Sequence, residues 1–322
     1  MKLRRPGGHR YMPSAKHHQP GRRCAVRRQP AVSAPDRRSE KLRRFFAEYV
    51  TSRGGAREAR IKEAFAAIER EIFAGPGPWF IYSPGCGYLT TPDDDPTFLY
   101  QDTLVAIDAE RGINMGEPTL HARCLEALAL RPGETVLQVG AGVGYYTAIL
   151  AYLVGPQGRV YAFEIESDLA ARARQNLHDW PWVNVRARSG IAGRLPKADA
   201  VYVNAGITQP SRAWLDALRP AGRLLFPLQP LRGFGAMLLI ARPHHGEVWP
   251  ARFVTEAQFI PCVGEQNEGM SRRLMDAFHT GTSDRVRSFR TDGPADDTCW
   301  FRGNGWWLST AMPDGPKIDD CN

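Results

Sequence analysis

Residues 134–166, ETVLQVGAGVGYYTAILAYLVGPQGRVYAFEIE, constrain the fold more than any other stretch. Val136-Leu137-Gln138-Val139 is a short apolar run rich in β-branched residues, the pattern of a buried parallel strand. Gly140, Gly142 and Gly144 follow at once. Residues 145–153 have helical length and composition, and Gly155-Pro156-Gln157-Gly158 stops them with turn residues. A second apolar run over 159–165 contains Glu164 near its end. The unit is strand, glycine-rich turn, helix, strand, with an acid closing the second strand.

Glycines at such a turn let the backbone bend sharply and let a ligand approach it. The helix that starts there aims its free N–H groups at the same spot. Glu164 stands twenty residues after Gly144, the spacing at which an acid can accept hydrogen bonds from ribose hydroxyls. The stretch therefore predicts a site for an adenosine-containing ligand. A dinucleotide fingerprint, G-x-G-x-x-G, would need glycine at 145, where Tyr145 stands. The form G-x-G-x-G resembles that of class I methyltransferases, and this resemblance implies S-adenosylmethionine as cofactor.

The rest of the chain fits an α/β expectation. Strands are predicted at 183–187, 198–203, 223–227 and 236–241, and helices at 167–177 and 212–218. Strands alternating with helices imply a Rossmann-like, doubly wound, mostly parallel sheet covered on both faces. Upstream, Leu42, Phe45, Phe46 and Val50 form one helical stripe, with Ser39 as its cap. Ile61, Ala64, Phe65, Ile68 and Ile72 form a second. Residues 80–99, rich in Gly, Pro, Asp and Thr, read as a long loop or irregular ribbon.

Charge divides the chain. Residues 1–44 carry 14 Lys/Arg and 2 Asp/Glu, leaving 28 Lys/Arg against 32 Asp/Glu elsewhere. The overall +8 is thus a property of the beginning of the chain, and the body is mildly acidic. Residues 1–38, without periodicity, are expected to be a disordered basic tail, with nothing beyond nonspecific contact to nucleic acid. No apolar run is long enough to span a membrane. The six cysteines show no CxxC and no disulfide spacing, which favours a cytoplasmic setting. His244-His245 lacks a matching ligand cluster, so no metal is expected.

Several segments together resemble the protein-L-isoaspartate O-methyltransferases. These are "IEREIFAGPGPW", "LYQD", "MGEP" at 115–118 before a helix over 119–130, "LRPGETVLQVGAGVGYYTAILAYLVGPQGRVYAFEIESDLAARARQNL", "ALRPAGRLLFPL" and "FIPCVGE". The last two look like late strands of that family. The resemblance spans roughly residues 41–266 and implies carboxyl methylation of a protein or peptide. It suggests a methyltransferase domain over 39–266 and an extension over 267–322, with a helix at 271–278 and a hairpin around Gly303-Asn304-Gly305. Trp300, Trp306 and Trp307 are expected to pack that hairpin on the body.

On this basis the cofactor candidates are Gln138, Gly140, Ala141, Gly142, Gly144, Tyr145, Glu164, Ile165, Ile191 and Asn204. Gln138 and Ile191 stand where the family usually carries acids. Gly116 aligns with its active-site serine when Pro118 is the anchor, and Glu117 replaces its glutamine. A carboxylate acceptor is ionised at neutral pH and needs no base; for other acceptors Asp102 and Glu117 are the candidates. With no hydroxyl at 116 and a charge at 117, weak or absent turnover of standard isoaspartyl peptides is expected, with cofactor binding intact. A different acceptor, such as a modified peptide or small molecule, and a cofactor-binding module without turnover are the alternatives.

Overall fold

A computed structural model describes residues 37–264 and 267–313. The expected tail therefore lies, apart from its last two residues, outside the described residues. Helix α1 (Arg37–Gly54) begins two residues earlier than the sequence suggests. The second apolar stripe is not one helix but two, α2 (Ala59–Ala67) and α3 (Arg70–Ala74), because Ile68 takes an extended conformation between them. The break rotates the stripe, so Ile72 is exposed, and Phe45 of α1 is exposed as well. Their places inside are taken by two arginines, Arg43 and Arg70.

Arg70 is fully buried. Its Nη1 donates to the carbonyls of Leu99 (2.7 Å) and Gln101 (3.1 Å). Its guanidinium lies over the rings of Phe46 and Tyr145, at 5.1 and 5.4 Å. The charge thus faces carbonyl oxygens and the negative faces of two aromatic rings.

Residues 80–99 are more ordered than their composition suggests. Strands β1 (Phe80–Ser83) and β2 (Gly87–Thr90) form a hairpin, with Tyr82 opposite Tyr88. A 3-10 turn follows at Pro96–Phe98. The short pair β3 (Ala106–Asp108) and β4 (Ile113–Asn114) then leads to α4 (Pro118–Leu128). Proline at the first helical position starts α4, where its missing N–H costs nothing.

The glycine-rich unit folds as its pattern dictates: β5 (Thr135–Val139), α5 (Tyr145–Val154), β6 (Arg159–Glu164). Next come α6 (Ser167–Asn176), β7 (Val183–Ala187), β8 (Ala198–Val203), α7 (Arg212–Ala217), β9 (Leu218–Leu228), β10 (Gly235–Ala241) and β11 (Val248–Ala257). The chain continues through α8 (Glu268–His279), β12 (Ser288–Arg290), β13 (Cys299–Arg302) and β14 (Trp307–Ser309).

The main sheet runs β13-β14-β12-β11-β10-β9-β8-β5-β6-β7. Strands β7, β6, β5, β8 and β9 are parallel, and the remainder pair antiparallel. This is the Rossmann-like α/β fold read from the sequence, continued by antiparallel strands. One late-strand expectation fails. "FIPCVGE" is not a strand; Pro261 makes only an isolated bridge to Gly206. The strand is β11, ending at Ala257. It straddles two ladders: residues 251–257 pair with β10 and residues 248–250 with β12.

One core lies under α1, α2, α4 and α5, and a second under α7, α8 and the last strands. Trp306 and Trp307 are both buried, and Trp306 stacks on Phe289 at 5.6 Å. Among the described residues no helix is long and apolar enough to cross a membrane.

Candidate active site

The turn after β5 reverses the chain above the carboxyl ends of the parallel strands, where ligands sit in such sheets. Its glycines answer different needs. Gly144 has φ +96°, and a Cβ there would lie 2.8 Å from Leu177 Cδ1, so its role is to let α6 pack closely. Gly142 faces open space, with nothing within 4 Å of a Cβ position. Glu164 closes β6 and reaches back to this turn. Its Oε2 accepts from the Gly142 N–H (2.7 Å) and Oε1 from the Glu166 N–H (3.0 Å). Burial pushes its carboxyl pKa up, while the backbone N–H groups counter this.

A cavity of about 910 Å3 opens beside the turn. Gln138, Gly140, Ala141, Gly142, Tyr145 and Asn204 line it on one side, and Asp102, Gly116 and Glu117 on the other. The structure thus joins nine of the sequence candidates in one space. Gly144, Glu164, Ile165 and Ile191 do not line it. Ile165 directly follows β6 and Ile191 follows β7, its neighbour, so both flank the crevice beyond the strand ends.

Gln138 is buried and held at both ends. Its Oε1 accepts from Thr147 Oγ1 (2.6 Å), and its Nε2 donates to Asn204 Oδ1 (3.3 Å). That bond orients the Asn204 amide, whose Nδ2 has no partner among the described residues. A buried donor left unpaired is costly, so it fits a polar ligand group in the cavity. With the open backbone at Gly142, these residues fit the S-adenosylmethionine that the resemblance implies.

The opposite wall is the turn before α4. Gly116 has φ +78°, and its N–H donates to Asn114 Oδ1 (2.9 Å). A Cβ at 116 would come 2.5 Å from His121 Nε2. His121, one turn into α4, was not among the sequence candidates. As a lone histidine in a helical apolar stripe it reads as core, and it is indeed 1 % exposed. Its ring stacks on Tyr146 with centroids 3.5 Å apart, and Nδ1 lies 2.7 Å from the Tyr202 hydroxyl. Burial first, and the Arg70 charge second, push its pKa down to about 3. The imidazole is therefore neutral.

Asp102 caps α4 from outside the helix, accepting from Thr119 N–H (2.9 Å) and Oγ1 (2.6 Å), with Arg53 at 3.5 Å. Glu117, the residue preceding α4, makes no capping bond. Its pKa is raised by burial and then by Asp102, against the opposing pull of Arg53 and Arg123. Among the described residues no group of three His, Cys, Asp or Glu side chains could hold a metal.

The sequence model of the family described as protein-L-isoaspartate(D-aspartate) O-methyltransferase matches residues 88–267. A protein-L-isoaspartate O-methyltransferase of Methylorubrum extorquens is 34 % identical over 76 % of this chain and 96 % of that relative. One of Ignicoccus hospitalis is 29 % identical over 72 % of this chain and 99 % of its own length. Among solved structures, a protein-L-isoaspartate O-methyltransferase superposes with TM-score 0.58 at 23 % identity, covering 73 % of this chain and 69 % of the other. A Plasmodium falciparum protein of the same description, in complex with S-adenosyl-L-homocysteine, gives 0.54 at 18 % identity, over 68 % of this chain and 97 % of the other.

Proposed function

This chain belongs to the protein-L-isoaspartate O-methyltransferase family, and from that premise we propose that it methylates a carboxylate of a protein or peptide held against the Gly116–Glu117 turn. It is a methyltransferase that uses S-adenosylmethionine. The observation that carries the acceptor reading is the single cavity shared by the glycine turn and the Gly116 turn. When bound, S-adenosylmethionine supplies a methyl group on a sulfonium, so an acceptor oxygen takes the methyl carbon, sulfur keeps the bonding pair and no proton need move.

Gly140, Ala141, Gly142, Tyr145, Gln138 and the Asn204 amide would hold the cofactor from the cavity side. Glu164, Ile165 and Ile191 would flank its adenosine. In this reading Glu164→Ala weakens S-adenosylhomocysteine binding roughly 10- to 100-fold, the equivalent of about 1.5–3 kcal/mol for bonds to a charged group. Calorimetry returning the wild-type affinity would remove Glu164 from the site.

On the acceptor side the chain's residues position and desolvate. Gly116 offers no hydroxyl, and His121 Nε2 occupies the direction a serine side chain would take. In the tautomer whose Nδ1 accepts from Tyr202, Nε2–H donates into the pocket and can hold the acceptor oxygen. The substitution His121→Phe keeps a ring against Tyr146 and removes that donor. It should lower kcat/KM on a peptide acceptor about 10- to 100-fold, with S-adenosylhomocysteine affinity nearly unchanged.

The same variant has a pH signature. An unfolded histidine binds a proton below about pH 6.5, whereas folded His121 binds one only near pH 3. Between these values the unfolded state holds more protons, so His121 makes stability fall as pH falls, by ~1.4 kcal/mol per pH unit. Denaturation curves of the phenylalanine variant should lose that slope. An unaltered slope, or unaltered peptide turnover, would contradict the assignment.

We assign the chemistry to residues 39–266, supported by the family match ending at 267. The cysteine spacing, with no CxxC and no disulfide framework, supports a cytoplasmic setting.

A further inference from the structure

The acceptor side of the cavity has a one-sided electrostatic character. Among the described residues its lining includes three carboxylates, Asp102, Glu117 and Glu256, and no lysine or arginine. Its single histidine, His121, is kept neutral by burial. The three acids are not equivalent. Asp102 is occupied by the start of α4 and has Arg53 beside it. Glu117 caps nothing, and the Glu256 side chain, at the end of β11, makes no hydrogen bond or ion pair among the described residues.

Both of these side chains are exposed at the cavity. Around them stand apolar side chains that also line it while remaining open to solvent: Tyr82, Phe234 and Ile260. Deeper, His121 Nε2 is turned toward the Gly116 turn. The acceptor side thus has His121 Nε2 facing it and two outer carboxylates: Glu117, on which Arg53 and Arg123 pull from outside the lining, and Glu256, whose side chain makes no ion pair among the described residues.

An isolated carboxylate entering this space would meet like charges in a partly desolvated setting, which disfavours it. A carboxylate that arrives beside a cation would not. Resting on the acceptor reading above, we propose that the acceptor is a peptide segment with a lysine or arginine next to the carboxylate to be methylated, and that Glu117 and Glu256 hold that cation. The apolar rim covers neighbouring side chains of the same segment. Glu117 and Glu256 are then specificity-determining residues.

The test uses the full chain and three isoaspartyl peptides identical except for one flanking residue: lysine, norleucine or glutamate. The expected order of kcat/KM is lysine, norleucine, glutamate, with lysine over glutamate at least about tenfold in low salt and shrinking as salt rises. In Glu117→Gln/Glu256→Gln the ratio should fall toward one, and Glu256→Lys should lower or invert it. S-adenosylhomocysteine affinity, measured in each variant, reports that the cofactor half is intact. Equal turnover of all three peptides by the wild type, or a ratio that the double variant leaves unchanged, overturns the inference while the acceptor reading stands. No turnover of any of the three, with S-adenosylhomocysteine still bound, overturns both.

Discussion

Gly116→Ser is expected to damage the protein rather than equip it. The family resemblance puts a serine at this position, so the substitution looks like a restoration on paper. The backbone there has φ +78°, a conformation that L side chains reach only at a cost of about 1–2 kcal/mol. The new Cβ would also lie 2.5 Å from His121 Nε2. That imidazole cannot swing aside freely, because Tyr146 stacks on one face and Tyr202 holds its other nitrogen. Forcing atoms into such a packed site adds ~1–3 kcal/mol. The variant should therefore unfold at lower denaturant by roughly 2–5 kcal/mol in total. Its peptide turnover should drop at least about tenfold, since the donor at 121 is displaced. Wild-type stability together with faster isoaspartyl turnover would show that the turn adapts, and would return the acceptor-holding role to residue 116.

Loss of Arg70 should be the most destabilising single change in the helical lead-in. Arg70→Ala leaves the carbonyls of Leu99 and Gln101 without their donor and empties the space between Phe46 and Tyr145. Unpaired buried acceptors and a cavity of that size each cost ~1–3 kcal/mol or more, so a total of about 3–5 kcal/mol is expected. Arg70→Met fills much of the volume and should recover part of the loss, because removing the charge also removes its desolvation. If alanine and methionine lowered Tm equally, the carbonyl contacts would dominate. If neither lowered it, the buried guanidinium would carry no net stability at all.

What could be read in advance was what is local. The strand, glycine turn and helix at 136–153 depend on near neighbours only, and they are present within a residue of their expected ends. The failures lie where neither periodicity nor composition carries the backbone conformation. The stripe through Ile72 looked continuous, yet Ile68 is extended and the helix restarts at Arg70. Tyr82 and Tyr88 pair across a hairpin inside a stretch whose composition suggested none. In β11, Pro250, Arg252 and Glu256 obscure a strand, while "FIPCVGE" is the more apolar stretch. His121 was invisible for another reason: its spacing marks it as core, and only the fold shows that one edge of its ring faces the acceptor turn.

The double allegiance of β11 has a consequence for how the chain assembles as it is made. Chains fold from the N-terminus as they emerge from the ribosome. The glycine turn, Glu164 and Asn204 are all in place once β8 has emerged. The part of the facing wall at Glu256 is different, because the strand that carries it stays bare along residues 248–250 until Ser288–Arg290 arrive. Those residues are in turn secured only by Trp307–Ser309. A nascent chain can therefore present a cofactor pocket and the Gly116 turn opposite it before the Glu256 side of the acceptor wall is braced. For that interval a strand edge stands open, the feature by which unfinished sheets pair with the wrong neighbour.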